Sequence, residues 1–297
     1  MAKTVELTGG RVASYEVVGS GRPTLMFPGG PGFAAAYMRT DADLFADVFE
    51  SYLIDPHGSG ASTPPKDSSR YSPEGHAAFY DEVRKALGLD HVLVLGHSFG
   101  GTTALAYTAL FPSAVDACIA VAAFGIGTEV DGDEGGTAEE EFDRAVSRHE
   151  GAAWFPEAKS TMDSWTESVL AAEDAHEIEQ MMATVLPLYT AHPDRPDVAR
   201  RLAEMKQHLT ADLAAAKAWE GGLYQTIDLR PLASKIARPT LVVAGELDFI
   251  CGPAQARPIS DAIVTSNLEV IRDCGHIPSI EAPDEYRSAV LRFVEKN

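Results

Sequence analysis

The stretch VLVLGHSFGG, residues 92–101, sets four apolar residues against a serine that has glycines two positions to either side. A strand that is apolar along its whole length is covered on both faces, which points to the middle of a parallel sheet. The residues that follow, GTTALAYTALFP (101–112), read as a small-residue helix that stops at proline. Gly96-His97-Ser98-Phe99-Gly100 therefore fits G-x-S-x-G between a strand and a helix. A serine there sits on a sharp turn with its hydroxyl above the sheet, and the flanking glycines let neighbouring backbone pass close by. Ser98 is the expected nucleophile.

The rest of the chain repeats this rhythm. RVASYEVV (11–18) alternates like a strand near a sheet edge, and PTLMFPGG (23–30) and SYLIDPHG (51–58) are apolar runs that stop at glycine. SPEGHAAFYDEVRKALGL (72–89) opens with a capping serine and a proline in the first turn, then carries helical spacing. VDACIAVAAF (115–124) is another buried strand. From Gly125 the pattern changes to a glycine-rich acidic stretch and then long helical segments, TESVLAAEDAHEIEQMMATVLPLY (166–189) and RPDVARRLAEMKQHLTADLAAAKAWE (195–220). Strand patterning resumes at RPTLVVAGELD (238–248), followed by a helix, the strand NLEVIRDCGH (267–276) and a last helix. The expected architecture is α/β, a mostly parallel sheet flanked by helices. A first core part covers 1–124, a helical cap inserted after the sixth strand covers 125–228, and the core is completed by 229–297. Such an insertion is expected to lie over the strand ends, where open α/β sheets bind ligands.

A serine hydroxyl needs a base, and the base needs an orienting acid. His276, directly after a strand near the C-terminus, is the expected base. His57, His76, His91, His149, His192 and His208 carry no partner pattern, and His97, beside the nucleophile, is expected to pack. Asp248, just past a buried strand, is the expected acid, with Glu246 two residues earlier as its rival. The order Ser98, Asp248, His276 is the nucleophile–acid–base order of hydrolases built on such a sheet. For the oxyanion, the expected donors are the backbone N–H of Phe99 and that of Gly30 in MFPGGPGF (26–33), where glycine permits close backbone approach and Pro31 stiffens the turn.

Bulk properties narrow the partners. The chain has 297 residues, 45% of them hydrophobic, and a formal charge of −20. Nucleic acid and anionic membrane surfaces would be repelled, and no apolar run has the ~18 residues of a membrane span. The start, MAKTVELTGG, lacks an apolar h-region, so a cytoplasmic location is expected. Cys118, Cys251 and Cys274 are too scattered for a disulfide framework or a zinc site. No metal or cofactor is expected, and the partner is a small-molecule substrate. Buried packing is the expected role of Cys251 and Cys274. In the insertion, Trp154, Phe155, Trp165, Met181, Met182, Tyr189 and Trp219 supply apolar surface for cap core or pocket wall.

PGGPG (28–32), DPHGSGAS (55–62), GHSFGG (96–101), GELDFICGP (245–253) and CGHIP (274–278) resemble the motifs HGGPG, DQRGxGxS, GxSxGG, GxxDxxCP and GGH of the proline iminopeptidase family, within the α/β-hydrolase fold. The resemblance spans essentially the whole chain. It implies release of an N-terminal proline by a serine triad at Ser98, Asp248 and His276, with Gly30 and Phe99 at the oxyanion, under a helical cap whose acidic residues hold the free amine. Candidates for that carboxylate are Glu204, Glu220 and the acidic run from Glu129 to Glu141, although charged residues on such helices usually face solvent. Two positions depart from the pattern: Pro28 stands in place of the motif's histidine, and His57 in place of its arginine. Hydrolysis of a small hydrophobic ester or lactone is therefore the alternative expectation. A ligand receptor that keeps the fold without turnover is the third.

Overall fold

The structure is a computed structural model that describes residues 2–125 and 145–297. Eight strands form one sheet: β1 (Lys3–Leu7), β2 (Arg11–Gly19), β3 (Arg22–Phe27), β4 (Phe49–Ile54), β5 (Val92–His97), β6 (Val115–Val121), β7 (Thr240–Gly245) and β8 (Ser266–Ile271). Their spatial order is β1-β2-β4-β3-β5-β6-β7-β8. β1 and β2 pair antiparallel, as do β2 and β4, and every remaining pair is parallel. β2 is thus one strand in from the edge, which β1 occupies.

The continuous apolar strands are explained by two cores, one on each face. Leu93 and Leu95 of β5 join Met26, Ile119 and Val243 on one side. Val92 and Val94 join Leu25, Phe27 and Val242 on the other. Each such side chain, taken fully out of water, contributes about 1.5–3 kcal/mol. That sum over β5 is what forces this strand to the centre.

Helices α1 (Pro73–Ala86) and α2 (Phe99–Leu110) pack on the second face. α1 begins as its sequence indicates: Ser72 caps it by accepting from the Gly75 N–H, and Pro73 stands in its first turn. Between β6 and β7 the described elements are helical: α3 (Phe155–Asp163), α4 (Trp165–Ala171), α5 (Ala175–Val185), α6 (Pro196–Lys206) and α7 (Leu213–Glu220). The two long periodic stretches of sequence are each broken in two. Asp174 caps α5 on the Glu177 N–H, and Asp212 caps α7 on the N–H groups of Ala214 and Ala215. An internal N-cap gives the backbone a stronger partner than continued helix. After β7 and β8 come α8 (Pro253–Ala262) and α9 (Pro283–Val294).

One strip of the insertion is stitched to the loop after β3. Ala34 donates to the Thr210 carbonyl, Asp212 donates to that of Gly32, and Phe33 forms a bridge with Ala211. Among the described residues no helix is long and apolar enough to cross a membrane.

Candidate active site

The carboxyl ends of β3, β5, β7 and β8 carry the candidate residues, and the parallel register brings their loops together on one side of the sheet. Ser98 follows β5 with φ 57° and ψ −125°, a left-handed conformation that a β-carbon disfavours. Its backbone is held from three directions. The Ser98 N–H donates to the Val121 carbonyl, and the Ser98 carbonyl accepts from Gly101 and Thr102. The flanking glycines are required by close approach. A β-carbon at Gly96 would stand 2.0 Å from the Gly100 oxygen, and one at Gly100 would stand 1.9 Å from the Phe27 oxygen.

His276, in the turn after β8, pairs with Asp248 in the turn after β7. His276 Nδ1 is 2.8 Å from Asp248 Oδ2, and both side chains are nearly inaccessible. Asp248 Oδ1 accepts from the N–H groups of Ile250 and Cys251. Burial pushes the Asp248 carboxyl up, but the His276 ring and the two backbone N–H groups outweigh it and leave it below the ordinary carboxylate value. Glu246 is turned elsewhere, accepting from the Asp273 N–H at the surface. The two acids of this loop therefore face different partners, and His276 meets Asp248. The His276 N–H donates to the Tyr189 carbonyl, which fastens the turn to the insertion.

Gly30 has φ +124° and lies on the wall of the same cavity as Ser98 and His276. The N–H of its neighbour Gly29 is already engaged, donating to the Tyr37 hydroxyl at 2.5 Å. Phe99 opens α2, so its N–H lies in a helix first turn, where the helix itself offers no acceptor.

The cavity encloses about 460 Å³ between the sheet ends and the inserted helices. Its wall is mostly apolar, and among the described residues it carries one carboxylate, Glu220, and no lysine or arginine. Glu220 Oε1 accepts from the Trp165 indole N–H and Oε2 from the Thr166 hydroxyl, both neutral donors. Glu204 instead pairs with Arg200 on an exposed face of α6. The run from Glu129 to Glu141 lies outside the described residues. Of the apolar cap residues, Trp165, Met182, Tyr189 and Trp219 line the cavity, whereas Trp154 and Phe155 pack around Val146 and Leu188. Cys251 and Cys274 are buried, and burial raises both thiols. His57 does not line the cavity. Its Nε2 is bonded to the Arg70 carbonyl, its ring packs against His76 and Phe79, and burial lowers its pKa to about 4. Among the described residues no cluster of histidine, cysteine or carboxylate side chains is arranged to hold a metal ion.

One further residue at the site has no sequence pattern to announce it. Glu281, itself buried, accepts from the N–H groups of Gly275 and Ile277, on either side of His276, and from Ala191 in the insertion. Burial raises its carboxyl to about 6 despite those donors. A folded-state pKa above the unfolded one means the native state holds the proton longer. Stability contributed by this group is therefore greatest below the unfolded value and falls as pH rises through the folded one, by about 2 kcal/mol for a shift of this size. Glu281→Gln is expected to remove that component of the slope between about pH 4.5 and 6.5, read from melting temperature against pH. An unchanged slope contradicts the assignment.

A family model described as the alpha/beta hydrolase fold matches residues 23–283. The chain belongs to the α/β-hydrolase family. As a member it is similar to a proline iminopeptidase of Clostridium botulinum, 24% identical over 289 residues, 95% of this chain and 92% of that one. A solved alpha/beta fold family hydrolase of Bacillus anthracis superposes with a TM-score of 0.76 at 17% identity, covering 99% of each chain. A thermophilic esterase of Thermogutta terrifontis superposes at 0.71 and 22% identity, over 100% of this chain and 98% of that one. At these identities the solved structures speak to the fold.

Proposed function

We propose that this α/β hydrolase cleaves a small acyl substrate through a Ser98–His276–Asp248 triad. The observation that carries the reading is that a serine on a strained strand-to-helix turn and a histidine already bonded to a buried carboxylate face one cavity. Asp248 holds the proton on His276 Nδ1, leaving Nε2 free to accept from Ser98 Oγ. Attack on the carbonyl carbon forms a tetrahedral adduct whose oxyanion accepts from the N–H groups of Phe99 and Gly30. His276 then returns the proton to the leaving nitrogen or oxygen as the C–N or C–O bond breaks. Water, deprotonated by the same histidine, attacks the acyl-enzyme and releases the acid and Ser98.

The finer reading is iminopeptidase-like hydrolysis, the release of an N-terminal proline from a short peptide or amide. Its support is the resemblance to proline iminopeptidases and a carboxylate, Glu220, on the cavity wall. Among the described residues the donors to Glu220 are neutral, the Trp165 indole and the Thr166 hydroxyl, so a substrate ammonium would add a cationic partner there. A hydrogen bond to such a charged group is worth about 1.5–3 kcal/mol. Glu220→Gln is therefore expected to lower the ratio of prolyl-arylamide to neutral aryl-ester turnover by about 10- to 100-fold, measured as kcat/KM for both. An unchanged ratio rejects Glu220 as the amine anchor.

A second reading, hydrolysis of a neutral ester or lactone, is favoured by the mostly apolar wall and by the position of His57 away from the cavity. Fluorophosphonate labelling followed by a panel of prolyl-arylamides, aryl esters and lactones separates the possibilities. Label on Ser98 with prolyl-amide cleavage supports the first reading, and label with ester or lactone cleavage alone supports the second. A folded protein that takes no label would support the receptor reading instead.

A further inference from the structure

We propose that Tyr37 and His97 are positioning residues that tie the donor loop, the nucleophile turn and the base loop into one hydrogen-bonded body. This rests on the roles given above to Gly30, Ser98 and His276. His97 Nε2 is 2.9 Å from the His276 carbonyl oxygen, and His97 Nδ1 is 3.0 Å from the Tyr37 hydroxyl, which itself lies 2.5 Å from the Gly29 nitrogen.

The protons in this chain have one consistent arrangement. A carbonyl only accepts, so His97 Nε2 carries the ring hydrogen. In a neutral ring Nδ1 is then the acceptor, and the Tyr37 hydroxyl must donate to it. The Tyr37 oxygen, its own hydrogen committed, accepts from the Gly29 N–H. A backbone donor at one end and a backbone acceptor at the other thus determine the tautomer. Burial, and then the neighbouring His276, push His97 down to about 3, so the ring stays neutral above that pH. Burial also raises the Tyr37 phenol well above its ordinary range. Among the described residues, the ionisable groups that face His97 are His276, Asp248 and Tyr37. With both ring nitrogens and the phenol committed to these partners, the role the geometry supports for the chain is to hold positions.

What it holds is specific. Gly29 adjoins Gly30, His97 adjoins Ser98, and the accepting carbonyl is that of His276 itself. Three loops that follow β3, β5 and β8, from distant parts of the sequence, are joined by two side chains that are each only 7% exposed. A donor or acceptor released from such a chain loses the partner that fixes its direction, although Tyr37 and His97 also border the cavity. Slack in any one loop would displace oxyanion donor, nucleophile and base relative to one another, and misplacement of about 1 Å can cost 10²-fold in rate.

The test uses the full chain. Tyr37→Phe removes one oxygen and leaves the ring. It is expected to lower kcat on an aryl ester by about 10- to 100-fold, with KM within about twofold because the cavity wall is retained. The double variant Tyr37→Phe/His97→Ala should be no slower than His97→Ala, since both cut the same chain. His97→Gln, whose amide nitrogen can still donate to the His276 carbonyl, should recover part of the rate lost in His97→Ala. A readout free of turnover is the low-field proton resonance of His276 Nδ1, expected to broaden in Tyr37→Phe. Folded Tyr37→Phe with wild-type kcat and an unchanged resonance overturns the proposal, as does full additivity in the double variant. Should Tyr37→Phe fail to fold, His97→Gln against His97→Ala decides: equal rates overturn the proposal. Failure of the triad reading looks different, because then the wild-type protein takes no fluorophosphonate label at Ser98.

Discussion

Ser98→Ala is expected to lower kcat by about 10⁵- to 10⁶-fold, the scale on which removal of a triad serine acts in serine hydrolases. The size of the loss follows from covalent chemistry. On the proposed mechanism no acyl-enzyme forms without Oγ, and the remaining groups can only bind substrate and stabilise the oxyanion that forms as water attacks the carbonyl. The fold should persist. The turn is held by the Ser98 N–H, by its carbonyl and by the close backbone contacts at Gly96 and Gly100, none of which involves the hydroxyl. The check is turnover of the best panel substrate, with intact-mass labelling by a fluorophosphonate. Activity within tenfold of wild type in Ser98→Ala, or label on another residue, would remove Ser98 from the mechanism.

Asp248→Asn is expected to cost about 10⁴-fold in kcat, for a reason readable in the hydrogen bonds. Asp248 Oδ1 accepts from two backbone N–H groups while Oδ2 faces His276 Nδ1. In asparagine the amide oxygen must stay on the two N–H groups, which turns the NH₂ toward Nδ1. The His276 proton then moves to Nε2, the atom that should receive the serine proton, and the base is lost with little change of shape. The same carboxylate has a stability signature. Its folded pKa is depressed, so its contribution is present above the unfolded value of about 3.9 and is lost as pH falls through the folded one. Wild type should therefore lose more melting temperature than Asp248→Asn below about pH 4. This slope is opposite in sign to that expected from Glu281. Parallel acid profiles for wild type and variant would show that Asp248 is not held as an ionised partner.

These predictions draw unequally on sequence and structure. VLVLGHSFGG announces its strand, turn and helix because a buried parallel strand must be apolar on both faces and G-x-S-x-G must be small at its flanks. Ser72 and Pro73 mark the start of α1 equally plainly. The inserted helices were less legible. Helical periodicity runs through Asp174 and Asp212, and only their capping bonds show that the chain breaks there. β1 and β2 illustrate the same limit, since alternation identifies a strand but does not say which strand lies outside it. At the candidate site the sequence puts Asp248 ahead of Glu246 but keeps Glu246 as its rival, two acids on one loop. Their separation depends on which one the turn after β7 aims at the end of β8.

The chain's own residues determined the α/β class, the position of the helical insertion and the turn that carries Ser98, because each is a local consequence of side-chain pattern and backbone freedom. Only the tertiary structure decided that His276 meets Asp248, that Glu220 and not Glu204 faces the cavity, and that Tyr37, His97 and Glu281 bind the site's loops together. Those pairings join residues as far as 179 positions apart. A hydrogen bond across such a distance leaves no local periodicity to read, and it exists only where the packed sheet brings its loop ends to a common side.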